Sequence, residues 1–309
     1  MTDIVFIGTA IMDSMIRGFD PEPVSSAGYR AESAYLSIGG EAVNGSVAAV
    51  RLGSRAAILC TLGNDMAGDM IASRLGESGV DTSRIVRSDE HPTPVTTIFM
   101  EPDGNRRSIT NGAHSYNFHP ERYPERFAGA RAVVLGSLFR APFNDPDVIR
   151  AVAGRAKADG QLVFADTKLP NFRKLTLDDI AGSLPMIDCI SPNEDEAEWC
   201  TGEQEPGKMA DVFLSYGVRN VIIKLGGRGC FFKNRDEELY LPAHRVGVVD
   251  ATGAGDNFLA GFVTEILRGR SNGEALAFAN ACGAICSTEV GASAALKDRK
   301  QVEELLKVC

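Results

Sequence analysis

The chain has 309 residues, 44% of them hydrophobic and 24% charged, enough for a large buried core in a soluble α/β protein. Its formal net charge of -9 argues against a nucleic-acid groove and against docking on an anionic membrane, while leaving room for a local anion site. Seven cysteines without a C-x-x-C pair, and four histidines (His91, His114, His119, His244) without metal spacing, argue against a zinc site, and the cysteines read as buried thiols in a reducing cytoplasm.

The N-terminal MTDIVFIGTAIMD lacks the basic and long apolar regions of a signal peptide. ALAFANACGAICST, the most apolar late stretch, is too short and too polar to span a bilayer. In chain order, DIVFIG, RAAILCTLG, RAVVLGS, QLVFAD, MIDCIS and NVIIKLGG are continuously apolar and predict strands covered on both faces. Between them EAVNGSVAAVRLG, MAGDMIASRLGESG, DPDVIRAVAGRAKADG, NEDEAEWCTG and GKMADVFLSYG predict helices, several closed by Gly. This alternation predicts an α/β fold with a mainly parallel sheet and helices on both faces, in a single domain over residues 1–309. Residues 14–38, with Pro21, Pro23, Gly28 and the alternating AESAYLSI, break the rhythm. So do residues 93–110, two β-prone runs around a PDGN turn signal. These segments form either a small lid over the carboxyl ends of the parallel strands or an antiparallel edge extension.

The stretch VDATGAGDNFLAG places Gly253, Ala254 and Gly255 on a bend between a strand-like and a helix-like apolar run, with Asp256 at the join. A helix N-terminus presents unpaired amides and positive potential, and small residues let a phosphate reach them. Asp256 there is either an N-cap or a base that takes a proton from a hydroxyl attacking phosphorus. No G-x-x-x-x-G-K-[ST], no G-x-G-x-x-G after the first strand and no His-Arg-Asp loop occurs, so neither a P-loop enzyme, nor a nicotinamide site, nor a protein kinase is supported. A second pair, Gly39 and Gly40 in SIGGEAVN, opens another helix and places Asn44 one turn inside it. Asp13 follows the first strand at its carboxyl end, as a ligand-binding side chain or as a loop carboxylate.

GGEAVNGSVAAVRLG and DATGAGDNFLAGF, in this order, resemble the two signatures of the PfkB (ribokinase-like) carbohydrate kinase family. SPNEDEA and KLGGRGC between them resemble its Asn-Glu segment and its nucleotide-side loop, so the resemblance covers the whole chain. It implies a three-layer α/β/α fold with a β-strand lid, and an ATP-dependent sugar kinase of ribokinase or fructokinase type. Asp256 matches the catalytic base, and Gly253, Ala254 and Gly255 match the anion hole for the γ-phosphate. Asn193 matches a nucleotide-phosphate position, and Glu194 matches a position that holds hydrated Mg²⁺. Lys224, Gly226, Gly227 and Gly229 match the loop over the phosphates, and Asn280 borders the adenine. Asp250 and Thr252 match part of a monovalent-cation (K⁺) site, which the alanine at Ala295 leaves open. Asp13, Gly39, Gly40 and Asn44 match sugar-hydroxyl positions.

Arg106 is read either as a contact to an acidic substrate or as a surface charge. Arg140, Asp166 and Lys168 stand at strand ends facing the cleft, with Asp166 taken for the substrate. DTKLP departs from the Asp-x-Asn-x-Arg pattern of the family's acid-sugar kinases, which weighs against a sugar acid. A sugar acid such as 2-keto-3-deoxygluconate, or a nucleoside, is the second substrate reading. From a different class, a non-catalytic sugar or nucleotide sensor shares the fold, although such a sensor is expected to lose Asp256 or a glycine of the bend. Lid strands in the family pair between subunits, which implies a homodimer.

Overall fold

A computed structural model describes residues 2–18, 31–100, 106–111, 118–171 and 173–307. The continuous apolar runs form the spine of an eight-stranded sheet. Its strands are β1 (Ile4–Ile7), β4 (Ala56–Leu59), β9 (Ala132–Leu138), β10 (Leu162–Thr167), β11 (Cys189–Ser191), β12 (Asn220–Lys224), β13 (Cys230–Lys233) and β14 (Glu238–Leu241). The order is β14-β13-β12-β11-β10-β9-β1-β4, parallel from β12 to β4 and antiparallel at the β13 and β14 edge.

Both faces of the sheet are apolar because both are covered. Ile4 and Phe6 join one core with α1 (Glu41–Arg51), α6 (Ala254–Leu267) and α7 (Asn272–Cys286), which supply Val43, Phe258 and Phe278. Val5 and Ile7 point the other way, into a core with α3 (Pro146–Ala158) and α5 (Pro206–Ser215), through Val152 and Phe213. Truncating Phe6, 3% exposed, to alanine would cost about 3–5 kcal/mol.

The remaining helices are α2 (Met66–Glu77), α4 (Glu194–Thr201) and α8 (Arg299–Lys307). Among the described residues no helix is long and apolar enough to cross a membrane.

The irregular segments form the expected separate sheet. β2 (Ile11–Arg17), β3 (Ser33–Gly39), β7 (Val95–Met100) and β8 (Arg106–Thr110) make four strands in the order β3-β2-β7-β8. The lid therefore begins before residue 14, and Asp13 belongs to it, opposite Ser37 and Thr96. Pro21, Pro23, Gly28 and the PDGN turn lie outside the described residues.

Two expectations change in detail. RAAILCTLG breaks at Cys60, and β5 (Thr61–Gly63) leaves the main sheet to pair with β6 (Val86–Ser88). In MIDCIS only the last three residues are strand, because Leu184–Met186 is a short 3-10 turn. The β13–β14 hairpin, which follows the glycine loop, adds two antiparallel edge strands that the sequence reading did not include.

Candidate active site

The lid and the carboxyl ends of β1, β9, β10 and β12 enclose a cleft of about 960 Å³. That volume falls in the range of ligand sites. At its middle is the start of α6. Gly253 caps the helix with φ 78, in the left-handed region, and a Cβ there would stand 2.3 Å from the Cβ of Ala292. Only glycine fits both constraints. The Ala254 amide donates to the Ala251 carbonyl at 3.1 Å, whereas the next two amides, of Gly255 and Asp256, have no carbonyl one turn back inside the helix.

Asp256 occupies the first turn of α6, half-buried, and accepts a 2.7 Å hydrogen bond from Asn44 Nδ2. Burial pushes its carboxyl up to about 6; Asp166 and Glu41 act in the same direction, against Lys168 and the Asn44 bond. Asn44 Oδ1 is buried and has no partner among the described residues. Asn44 reaches this point because α1 starts at Gly40, whose φ of 101 turns the chain beside the Thr9 carbonyl. A side chain at Gly39 would strike Asp13 Oδ2, so its absence makes room for that carboxyl. Burial pushes Asp13 up to about 6 as well.

Beyond Asp256, Lys224 ends β12, and its Nζ lies 2.7 and 3.0 Å from the two oxygens of Asp166. Burial opposes the Lys224 charge, but Asp166 and Glu196 outweigh it and hold the ammonium above its ordinary value. Asp166, expected on the substrate, lines the cleft and faces Lys224 with both oxygens, Oδ1 also accepting from the Thr167 amide at 2.9 Å. Gly226 and Gly227 form a short turn after β12, with open space where side chains would stand, and Gly229 closes it.

Asn193 caps α4 in a capping box: its Oδ1 accepts from the Glu196 amide at 2.9 Å, and the Glu196 carboxylate accepts from the Asn193 amide at 2.9 Å. Glu196 also accepts from the Thr167 hydroxyl at 2.8 Å and lines the cleft. Glu194 does not line it; its carboxylate pairs with Arg228 instead. The Asn-x-x-Glu spacing of the capping box was the sequence signal for Glu196.

Farther along, Asn280 donates to the Pro242 carbonyl at 2.7 Å in a region walled by Val248 and Val290. Asp250 accepts from the Thr252 amide (3.0 Å) and hydroxyl (2.6 Å) and from the Gly291 amide (3.1 Å), closing the loop before α6. At the opposite end Arg140 lines the cleft and donates to the Leu169 carbonyl at 2.5 Å. Arg106 opens β8 opposite Met100; its side chain lies outside the described residues. The remaining expected residues line one cleft.

The chain matches the pfkB family carbohydrate kinase over residues 1–299. It belongs to that family. Ribokinase of Haemophilus influenzae is 30% identical over 277 residues, covering 88% of each chain. A 2-dehydro-3-deoxygluconokinase of Bacillus subtilis is also 30% identical, over 274 residues, covering 83% of this chain and 82% of its own. The structure of Arabidopsis thaliana ribokinase complexed with ribose and ATP superimposes with a TM-score of 0.86 at 26% identity, covering 99% of both chains. This pfkB-family chain is thus a carbohydrate kinase with the ribokinase-like fold. Thr9, Glu41 and Glu196 also line the cleft, and motif reading passed over them.

Proposed function

We propose that the protein transfers the γ-phosphoryl of ATP to a primary hydroxyl of a small sugar, with Asp256 as general base. The observation that carries this reading is a half-buried carboxyl, fixed by Asn44, in the first turn of a helix whose start is bare of side chains. The acceptor hydroxyl gives its proton to Asp256 as its oxygen attacks phosphorus. The unpartnered Asn44 Oδ1 and the Asp13 carboxyl accept from neighbouring hydroxyls and set the sugar's orientation. The Gly255 and Asp256 amides donate to the transferring group, each worth roughly 3 kcal/mol in such a role. In this reading Ala254 supplies a small surface and no donor, because its amide is bonded to Ala251.

The nucleotide half fits ATP: an open glycine turn beside Lys224, then an apolar end with Asn280. Glu196, with Asn193, is the carboxylate suited to hydrated Mg²⁺, in place of Glu194. The ion would neutralise polyphosphate charge. The Asp250 and Thr252 loop is the candidate for a monovalent cation. The lid excludes water from the acceptor, and its outer face carries Leu36, 56% exposed, and Ile109, 69% exposed, in one cross-strand row with Ser14 and Thr97. Those two exposed apolar side chains support a homodimer formed through the lid. The described cysteines are all free, in keeping with a reducing cytoplasm.

A sugar acid is the second reading. Arg140 and Lys168 line the acceptor end, and among the described residues Arg140 pairs with no carboxylate. The test is ADP release from Mg-ATP with ribose, fructose, 2-keto-3-deoxygluconate, fructose phosphates and nucleosides. Turnover of ribose or fructose is expected. Turnover of the acid alone would select the second reading, and none across the panel would overturn the kinase assignment.

A further inference from the structure

Asn257 follows Asp256 on α6 and does not line the cleft, yet its buried amide is spent on groups that border it. Its Nδ2 donates to the Gly253 carbonyl at 2.8 Å and to the Ala292 carbonyl at 2.9 Å, and lies 3.3 Å from Cys286 Sγ. The Gly253 carbonyl already accepts from the Asn257 backbone amide at 3.0 Å, as an ordinary helix bond. The helix therefore does not depend on the side chain at this point. The bond to Ala292 is the one with no helical counterpart, and it joins residues 35 apart in the chain.

Ala292 belongs to the segment between α7 and α8, which forms neither helix nor strand. Residues 290–294 nevertheless wall the cleft at the end where Asn280 stands. Groups from elsewhere hold this wall. The Gly291 amide donates to Asp250 Oδ2 at 3.1 Å, and the Cys286 thiol donates to the Ala292 carbonyl at 3.3 Å. The Arg51 guanidinium, at the end of α1, donates to the Ser293 carbonyl and, at 2.7 Å, to that of Leu296. Gly253 abuts the wall so closely that a Cβ there would stand 2.7 Å from Ala292 Cα. One buried amide thus joins the wall to the first turn of α6.

ATP, the donor in the proposed reaction, would be held at both places, its base along the 290–294 wall and its terminal phosphate at the start of α6. In a two-ended site the spacing between wall and helix start decides where phosphorus lies relative to Asp256, and errors on the ångström scale are costly. We propose that Asn257 is a positioning residue, whose amide fixes that spacing by clamping the 290–294 wall to the start of α6. Alanine at this position leaves the Ala292 carbonyl with only the weak thiol donor. A serine hydroxyl can bond back to the carbonyl four residues earlier, but its single donor cannot serve Ala292 as well.

The inference rests on ATP being the donor, so its test includes a reading independent of turnover. Asn257→Ala and Asn257→Ser are compared with wild type in steady-state kinetics and in calorimetric binding of Mg-ATP and of ribose or fructose, each alone. Amide hydrogen exchange is followed in the ligand-free proteins. In both variants the Kd and KM for Mg-ATP should rise about fivefold, and kcat should fall about 10- to 100-fold. Sugar affinity should stay at its wild-type value, because Asp13 and Asn44 come from the lid and α1. Exchange should quicken in residues 290–294 and 250–256 together. A merely structural asparagine would lower Tm and leave kcat and the nucleotide KM unchanged well below Tm; that result in folded variants would overturn the proposal. Wild-type kinetics in Asn257→Ser would also overturn it, since that variant lacks the bond to Ala292. If wild type turns over no sugar, the kinase reading fails, while Mg-ATP affinity and the exchange pattern still decide whether Asn257 is the clamp.

Discussion

Asp256 and Asp13 are carboxyls that the fold holds at an energetic disadvantage. Both are pushed up to about 6, chiefly by burial. A base must be ionised to accept a proton, so kcat should fall about tenfold per pH unit below a limb near 6. The stability effect has the opposite sense. Between its ordinary value of 3.8 and about 6, folded Asp13 keeps a proton that the unfolded chain has released. Its stabilising contribution is therefore complete below the unfolded value and lost as pH rises through the folded one. Asp13→Asn should raise Tm by roughly 2–4 °C at pH 8 and leave it unchanged below pH 4, while sugar affinity falls. Calorimetric scans at the two pH values check both signs. Asp256 was legible in the sequence because the glycine bend has no purpose in a simple cap. Glu41 was not, because a glutamate opening a helix is already explained by the dipole, and only the fold brings Thr9 beneath it.

At the scale of elements, two glycine-led helix starts, those of α1 and α6, bring Asn44 and Asp256 together from 212 residues apart. Gly253→Ala places a Cβ against Ala292 in a left-handed conformation, costing about 1–3 kcal/mol. It should also lower kcat by about 100-fold as the first turn of α6 shifts, since misplacement on the ångström scale has that effect. Chemical denaturation and steady-state kinetics on the same preparation separate the two losses. The parallel strands were legible because burial on both faces writes a continuous apolar run. The choice between Glu194 and Glu196 was not. Two residues apart on a helix they point about 200° away from each other, and the run NEDE does not reveal which side meets the sheet. The capping box settles the rotation, turning Glu196 toward Thr167 and Glu194 toward Arg228.

Over the whole molecule, the acidic surface and the charged cleft are separate matters. A chain of net charge -9 still gathers Lys168, Lys224 and Arg140 where a phosphoryl donor and an acceptor would meet. In the proposed dimer the lid would link the site to assembly: Asp13 and Ser37 face the cleft while Leu36 and Ile109 face outward from the same sheet. Ile109→Lys should convert a dimer to monomers in sedimentation velocity, with turnover reduced through a loosened lid; a monomeric wild type would contradict the lid interface. The lid strands were legible from their β-prone alternation, but their beginning at Ile11 was not, because MTDIVFIGTAIMD runs from one sheet into the other with only Gly8–Ala10 between the two strands. The central claim, that Asp256 is the base of a sugar kinase, is tested most directly by Asp256→Asn, assayed for ADP release and titrated calorimetrically with sugar and with Mg-ATP. The account predicts binding close to wild type and a fall in kcat of about 10³-fold or more. Turnover at the wild-type rate with binding intact would contradict it.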